Sequence, residues 1–160
     1  MGAVRRMFIH GLESSGQGFK GQLLRSVYDD LLAPDFPGSF EQRMASLDPM
    51  LSGQGPWILV GSSFGGLMAA TWTCEHPDQV QRLILLAPAL HYPDFAQAGF
   101  ASVDVPTVVV HGTKDTVVPL DVVRSLAERT FSDLTFRQVD DDHQLHKTVK
   151  EMDWRTLLDR

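Results

Sequence analysis

Residues 61–65 read Gly-Ser-Ser-Phe-Gly, which sets Ser63 between two glycines, each two positions away. An apolar run, residues 57–60, leads directly into it, and a helix-like segment opens near Gly66. A serine on a tight strand-to-helix turn has its hydroxyl thrust clear of the sheet, at the cost of strained backbone angles. Small residues at 61 and 65 avoid collision where strand and helix cross, and the helix start favours negative charge developing beside it. Alone, the pentapeptide more often describes a Gly/Ser-rich turn without chemistry. The strand before it and the helix after it favour a nucleophile.

A serine hydroxyl is inert without a base, and the base needs an acid to orient it. The apolar run 107–110 ends in His111-Gly112-Thr113-Lys114-Asp115, which puts Asp115 a few residues past a strand end. A helix and a further strand later comes Asp140-Asp141-Asp142-His143. His143 therefore lies in the loop past the last strand, able to lean toward Ser63. Asp115 is the preferred acid because it sits on a separate strand end, whereas Asp142, adjacent to the histidine, tends to point elsewhere. Asp140, Asp141 and Asp142 stay open as alternatives. Acyl transfer also needs backbone N–H donors aimed at the developing oxyanion. Phe64, next after the serine, offers one, and Leu12, in the loop of residues 10–15, offers the other. His10 reads as a structural histidine shaping that loop.

The elements that must position these groups alternate along the chain. Apolar runs at 4–9, 57–60, 83–86 and 107–110 read as strands, three of them apolar enough for a parallel sheet covered on both faces. The half-polar run 135–139 reads as an edge strand, and 32–36 as a weak sixth, broken by Pro34 and Pro37. Helices are expected at 19–31, 40–51, 66–75, 120–131 and 145–158. This alternation predicts an α/β fold of about six mostly parallel strands with right-handed crossovers. Ligands of such sheets bind beyond the carboxyl ends of the strands, where all the candidates above fall.

With these motifs in place, the sequence resembles the α/β-hydrolase superfamily, in particular its small bacterial esterase-like members without a lid. His10-Gly11, Gly61-x-Ser63-x-Gly65-Gly66, His111-Gly112-x-x-Asp115-x-Val117-Val118-Pro119 and Asp142-His143 stand in family order over nearly the whole chain. The resemblance implies a Ser63, Asp115, His143 triad with Leu12 and Phe64 as oxyanion donors. Two departures stand out. The family's leading strands are absent ahead of the His-Gly strand, and residues 87–106 are too few for a helical cap. His91 and Tyr92, past a strand end, and Val117 are expected to wall a shallow acyl pocket.

Composition narrows the alternatives. The chain has 160 residues, a formal charge of −6 and a single cysteine. One domain, residues 1–160, is expected, without a disulfide framework and in a reducing, cytoplasmic setting. The acidic balance argues against nucleic acid and anionic membranes as partners, and no apolar stretch is long enough to span a bilayer. Neither a secretory leader nor a myristoylation motif is expected at the N-terminus.

Gly16-Gln17-Gly18-Phe19-Lys20-Gly21 matches a dinucleotide fingerprint, with Asp35 about twenty residues on, but its first glycine lies too far past the strand. His143 and His146 lack a third metal ligand, so no metal and no cofactor is expected. Cys74 reads as a packed thiol. The sequence thus points to a serine hydrolase of carboxylic esters or thioesters, against a hydrolase-fold binding protein with vestigial chemistry or a small peptidase. The expected partner is a small-molecule substrate, with a homodimer left open.

Overall fold

Continuous apolar runs such as Trp57-Ile58-Leu59-Val60 gain most when both faces are covered, and the chain covers them. The computed structural model describes residues 2–159. Five strands, β1 (Arg5–Ile9), β2 (Trp57–Ser62), β3 (Val80–Leu86), β4 (Thr107–Gly112) and β5 (Leu134–Val139), form one sheet in sequence order, every neighbouring pair parallel. Seven α-helices accompany them: α1 (Phe19–Val27), α2 (Phe40–Leu51), α3 (Phe64–Glu75), α4 (Pro93–Ala96), α5 (Leu120–Thr130), α6 (His146–Glu151) and α7 (Trp154–Leu158). The strands' alternate side chains feed two cores. Leu47, Leu51, Leu67, Met68, Val123 and Leu126 place α2, α3 and α5 on one face. Leu24, Val149, Trp154 and Leu158 place α1, α6 and α7 on the other.

The sixth strand expected at 32–36 reduces to one parallel bridge, Leu32 to Met7. Phe8 N–H donates to the Leu32 carbonyl at 2.8 Å and Leu32 N–H to Arg6 at 2.9 Å. Pro34 and Pro37 withhold the N–H groups a longer ladder needs. The bridge still matters for topology. It lies on the side of β1 away from β2, so the chain reverses direction across the sheet between them. Such a switch point opens a crevice at the carboxyl ends of the two strands.

The single C-terminal helix expected at 145–158 is two. Met152 is extended and Asp153 starts α7 as its N-cap, accepting from Thr156 N–H at 3.2 Å. The edge strand β5 alternates partly buried and exposed residues, as a strand with one paired side does. Between β3 and β4, residues 87–106 hold only the four-residue α4, so no cap stands there. Among the described residues, no helix is long and apolar enough to cross a membrane.

Candidate active site

Ser63 occupies the turn between β2 and α3 with φ 54° and ψ −114°, a region costly for a residue with a Cβ. The surroundings hold it there. Ser63 N–H donates to the Leu86 carbonyl at 2.9 Å, and its own carbonyl accepts from Gly66, Leu67 and Ala89. The flanking glycines are required by contact. A Cβ on Gly61 would stand 2.5 Å from the Gly65 carbonyl oxygen, and one on Gly65 would stand 2.0 Å from that of Ile9. Strand β1 and helix α3 therefore approach at backbone distance, which carries the loop after β1 up against the serine.

The residues expected to act together converge at this end of the sheet. His143 Nε2 lies 3.0 Å from Ser63 Oγ, and His143 Nδ1 lies 2.7 Å from Asp115 Oδ2. With a carboxylate on Nδ1, that nitrogen carries the proton and donates, leaving Nε2 to accept from the serine hydroxyl. Asp115 Oδ1 accepts from Val117 and Val118 N–H, both at 2.8 Å. Burial would raise the Asp115 pKa, but hydrogen bonds from Val118, His143 and Val117 together hold it below its ordinary value. The other carboxylates are occupied. Asp140 pairs with Lys114 at 2.9 Å, Asp141 accepts from Thr148, and Asp142 accepts from Gln144 and Leu145 N–H.

A pocket of about 420 Å³ opens over Ser63, bordered by Leu12, Phe64, His91, Tyr92, Val117 and His143 among others. Leu12 and Val117 expose their side chains, whereas Phe64 packs edge-on against Tyr92 and Phe40. Phe64 N–H is at the first helical position, where the helix offers it no acceptor. Leu12 N–H makes no backbone hydrogen bond among the described residues. His10 is buried behind this loop. Its Nδ1 donates to the Gly11 carbonyl at 2.7 Å and its Nε2 accepts from Phe36 N–H at 2.8 Å, which fixes its tautomer without a catalytic task.

The rival motifs resolve into packing. A Cβ on Gly16 would stand 1.9 Å from the Ala33 carbonyl oxygen, and Gly16 N–H donates to Asp35 at 2.7 Å, so Asp35 closes its own loop. His146 lies against the Phe19 ring, with centroids 4.7 Å apart. Burial, with Glu75 beside it, pushes the Cys74 thiol up to about 12.

Three side chains near the site were given no role by the sequence reading. His111, fully buried, has Nε2 at 3.1 Å from the Val118 carbonyl and 3.3 Å from Asp115 Oδ2. Burial lowers its pKa, against the pull of the Val118 carbonyl and Asp115. Its signal was the four-residue spacing to Asp115. Lys20 borders the pocket, and burial lowers its pKa despite Asp142 and Asp141 nearby. Arg43 is buried on α2, with no local motif to announce it.

A parallel sheet with a strained serine between its second strand and the following helix defines the α/β-hydrolase fold. Residues 50–104 match the family model described as alpha/beta hydrolase fold. The chain is similar to Lipase LipV of Mycobacterium tuberculosis, 31% identical over 101 residues, covering 56% of this chain and 39% of LipV. It spans well under half the length of the curated relatives it matches. Among solved structures, an alpha-beta serine hydrolase homologue from Coxiella burnetii superposes with TM-score 0.76 at 20% identity, covering 98% of this chain and 86% of that one. A monoacylglycerol lipase from Paleococcus ferrophilus gives 0.73 at 16%, covering 96% and 93%. The matched segment and the superposed structures agree on the α/β-hydrolase fold.

Proposed function

We propose that this chain is a serine hydrolase of carboxylic esters or thioesters. The observation that carries the reading is the unbroken relay from Ser63 Oγ through His143 to Asp115, at 3.0 and 2.7 Å, on the floor of an open pocket. In this reading Ser63 Oγ attacks the substrate carbonyl while His143 Nε2 takes its proton. Asp115 holds the tautomer and supports the imidazolium. The oxyanion of the tetrahedral intermediate accepts from Leu12 and Phe64 N–H. Its collapse expels the alcohol or thiol, which takes the proton from His143 and leaves Ser63 acylated. Water then attacks the acyl-enzyme, giving its proton to His143, and as the second intermediate collapses His143 returns that proton to Ser63 Oγ and the acid departs. Likeness to a lipase over 101 residues supports an ester carbonyl as the target. His91, Tyr92 and Val117 are assigned to the acyl wall.

The test is active-site labelling. A fluorophosphonate probe should modify the wild type at Ser63, and Ser63→Ala should lose both labelling and hydrolysis of p-nitrophenyl acetate while keeping its far-UV circular dichroism. Equal labelling of the folded variant sinks the assignment.

A further inference from the structure

Helix α2 turns residues 43, 47 and 51 into the protein, and two of the three are leucines. The third is Arg43, only 4% exposed. Burying a guanidinium is costly unless an anion or a full set of hydrogen bonds compensates it. Here no carboxylate forms an ion pair with it among the described residues. Nε donates to the Gly38 carbonyl at 2.9 Å, Nη2 to the Leu12 carbonyl at 3.4 Å, and Nη1 is buried without a partner. The guanidinium carbon lies 5.2 Å from the centre of the Phe64 ring. Besides Gly38, this cation touches Leu12 and Phe64, the two residues whose N–H groups are assigned to the reacting carbonyl in the mechanism above.

We propose that Arg43 is a positioning residue for the oxyanion site: it ties the Leu12 loop to the Phe64 end of α3 and so sets the spacing of the two donors. The proposal rests on the assignment of Leu12 and Phe64 as those donors. One planar cation does what two separate contacts could not, because its fork reaches backbone carbonyls on one side while its face covers an aromatic ring. A leucine at this position would satisfy the helix pattern and leave the loop after β1 unanchored.

Arg43→Met and Arg43→Lys test it with p-nitrophenyl acetate and the fluorophosphonate probe. Arg43→Met should lower kcat about 10- to 100-fold while KM stays within about threefold, since the interaction lost is one realised in the transition state. The labelling rate should fall with kcat. Arg43→Lys keeps the charge but cannot span both carbonyls from one nitrogen, so it should recover only part of the loss. Should Arg43→Met fail to fold, Arg43→Lys is read alone, with a loss of about 3- to 10-fold expected. A folded variant with wild-type kcat, or one that changes KM alone, overturns the proposal and leaves Arg43 a purely structural residue. A wild type that is neither labelled nor active removes the hydrolase reading itself, and the Arg43 proposal with it.

Discussion

At the scale of single residues, the carboxylate facing His143 is what a substitution can isolate. Asp115 reaches Nδ1 at 2.7 Å, while Asp142 accepts from the backbone N–H groups of Gln144 and Leu145. In Asp115→Asn the amide can present its own N–H to Nδ1, which favours the wrong imidazole tautomer. Turnover should fall by about four orders of magnitude. Asp142→Asn retains a side-chain oxygen able to accept the same two bonds and should stay within about threefold of wild type. Steady-state kcat on p-nitrophenyl acetate decides, and the reverse order of effects would transfer the acid role to Asp142.

At the scale of elements, the elbow depends on the crossing of β1 and α3. Gly65 is where they touch, since any Cβ there would run into the carbonyl oxygens of Ile9 and His10, at 2.0 and 2.5 Å. Neither atom is the flexible end of a side chain, so the strand or the helix must shift. Gly65→Ala should cost about 3 kcal/mol of stability, at the upper end of overpacking effects. It should also reduce activity beyond what the remaining folded fraction explains, because the displaced strand carries the loop containing Leu12. Urea unfolding with activity measured on the same samples separates the two effects. Unchanged stability would mean the strand yields freely.

At the scale of the molecule, the missing cap and the buried histidine make separate demands. With only α4 between β3 and β4, and Val117 64% exposed at the rim, little covers a long acyl chain. Each methylene left in water forgoes about 0.8 kcal/mol of binding. On p-nitrophenyl esters, kcat/KM should therefore rise only to about six to eight carbons, as a small pocket limits the area buried. A steady rise through palmitate, measured below the micellar limit, would require a buried tunnel.

Stability should depend on pH through His111. Burial lowers its folded pKa, so the unfolded chain binds more protons once pH drops below the ordinary histidine value of about 6.5. The stabilisation is complete above that value and is lost as pH falls toward the folded pKa. Asp115, also held low, adds loss below about pH 4. The charged and titratable groups that act on His111 are Asp115, His143 and His91, and burial lowers His91 too, so part of the slope belongs to His91. His111→Gln should flatten the decline in unfolding free energy between pH 7 and 5.5. An unchanged slope excludes His111 as its source.

The sequence by itself determined the alternation of strands and helices, the elbow at Ser63 and the order of Asp115 and His143, because each rests on local pattern: apolar runs, glycine spacing and strand ends. It also placed the glycines of the 16–21 segment off the strand end, unlike the position the dinucleotide fingerprint requires. The division of the C-terminal helix at Asp153 was weakly marked, since Met152 carries no breaker signal and only the cap contact with Thr156 starts the second piece. Strand-end position favoured Asp115 over Asp140, Asp141 and Asp142 as the partner of His143, but four aspartates satisfy the same chemistry and only the folded loops aim one of them at Nδ1. Tertiary structure alone placed Arg43 under Leu12 and Phe64, and His111 beside Asp115. The Arg43 contacts join segments about 20 to 30 positions apart in the chain, and a buried charge leaves no periodic trace in a sequence. Such residues become visible only when the sheet brings distant loops to one end.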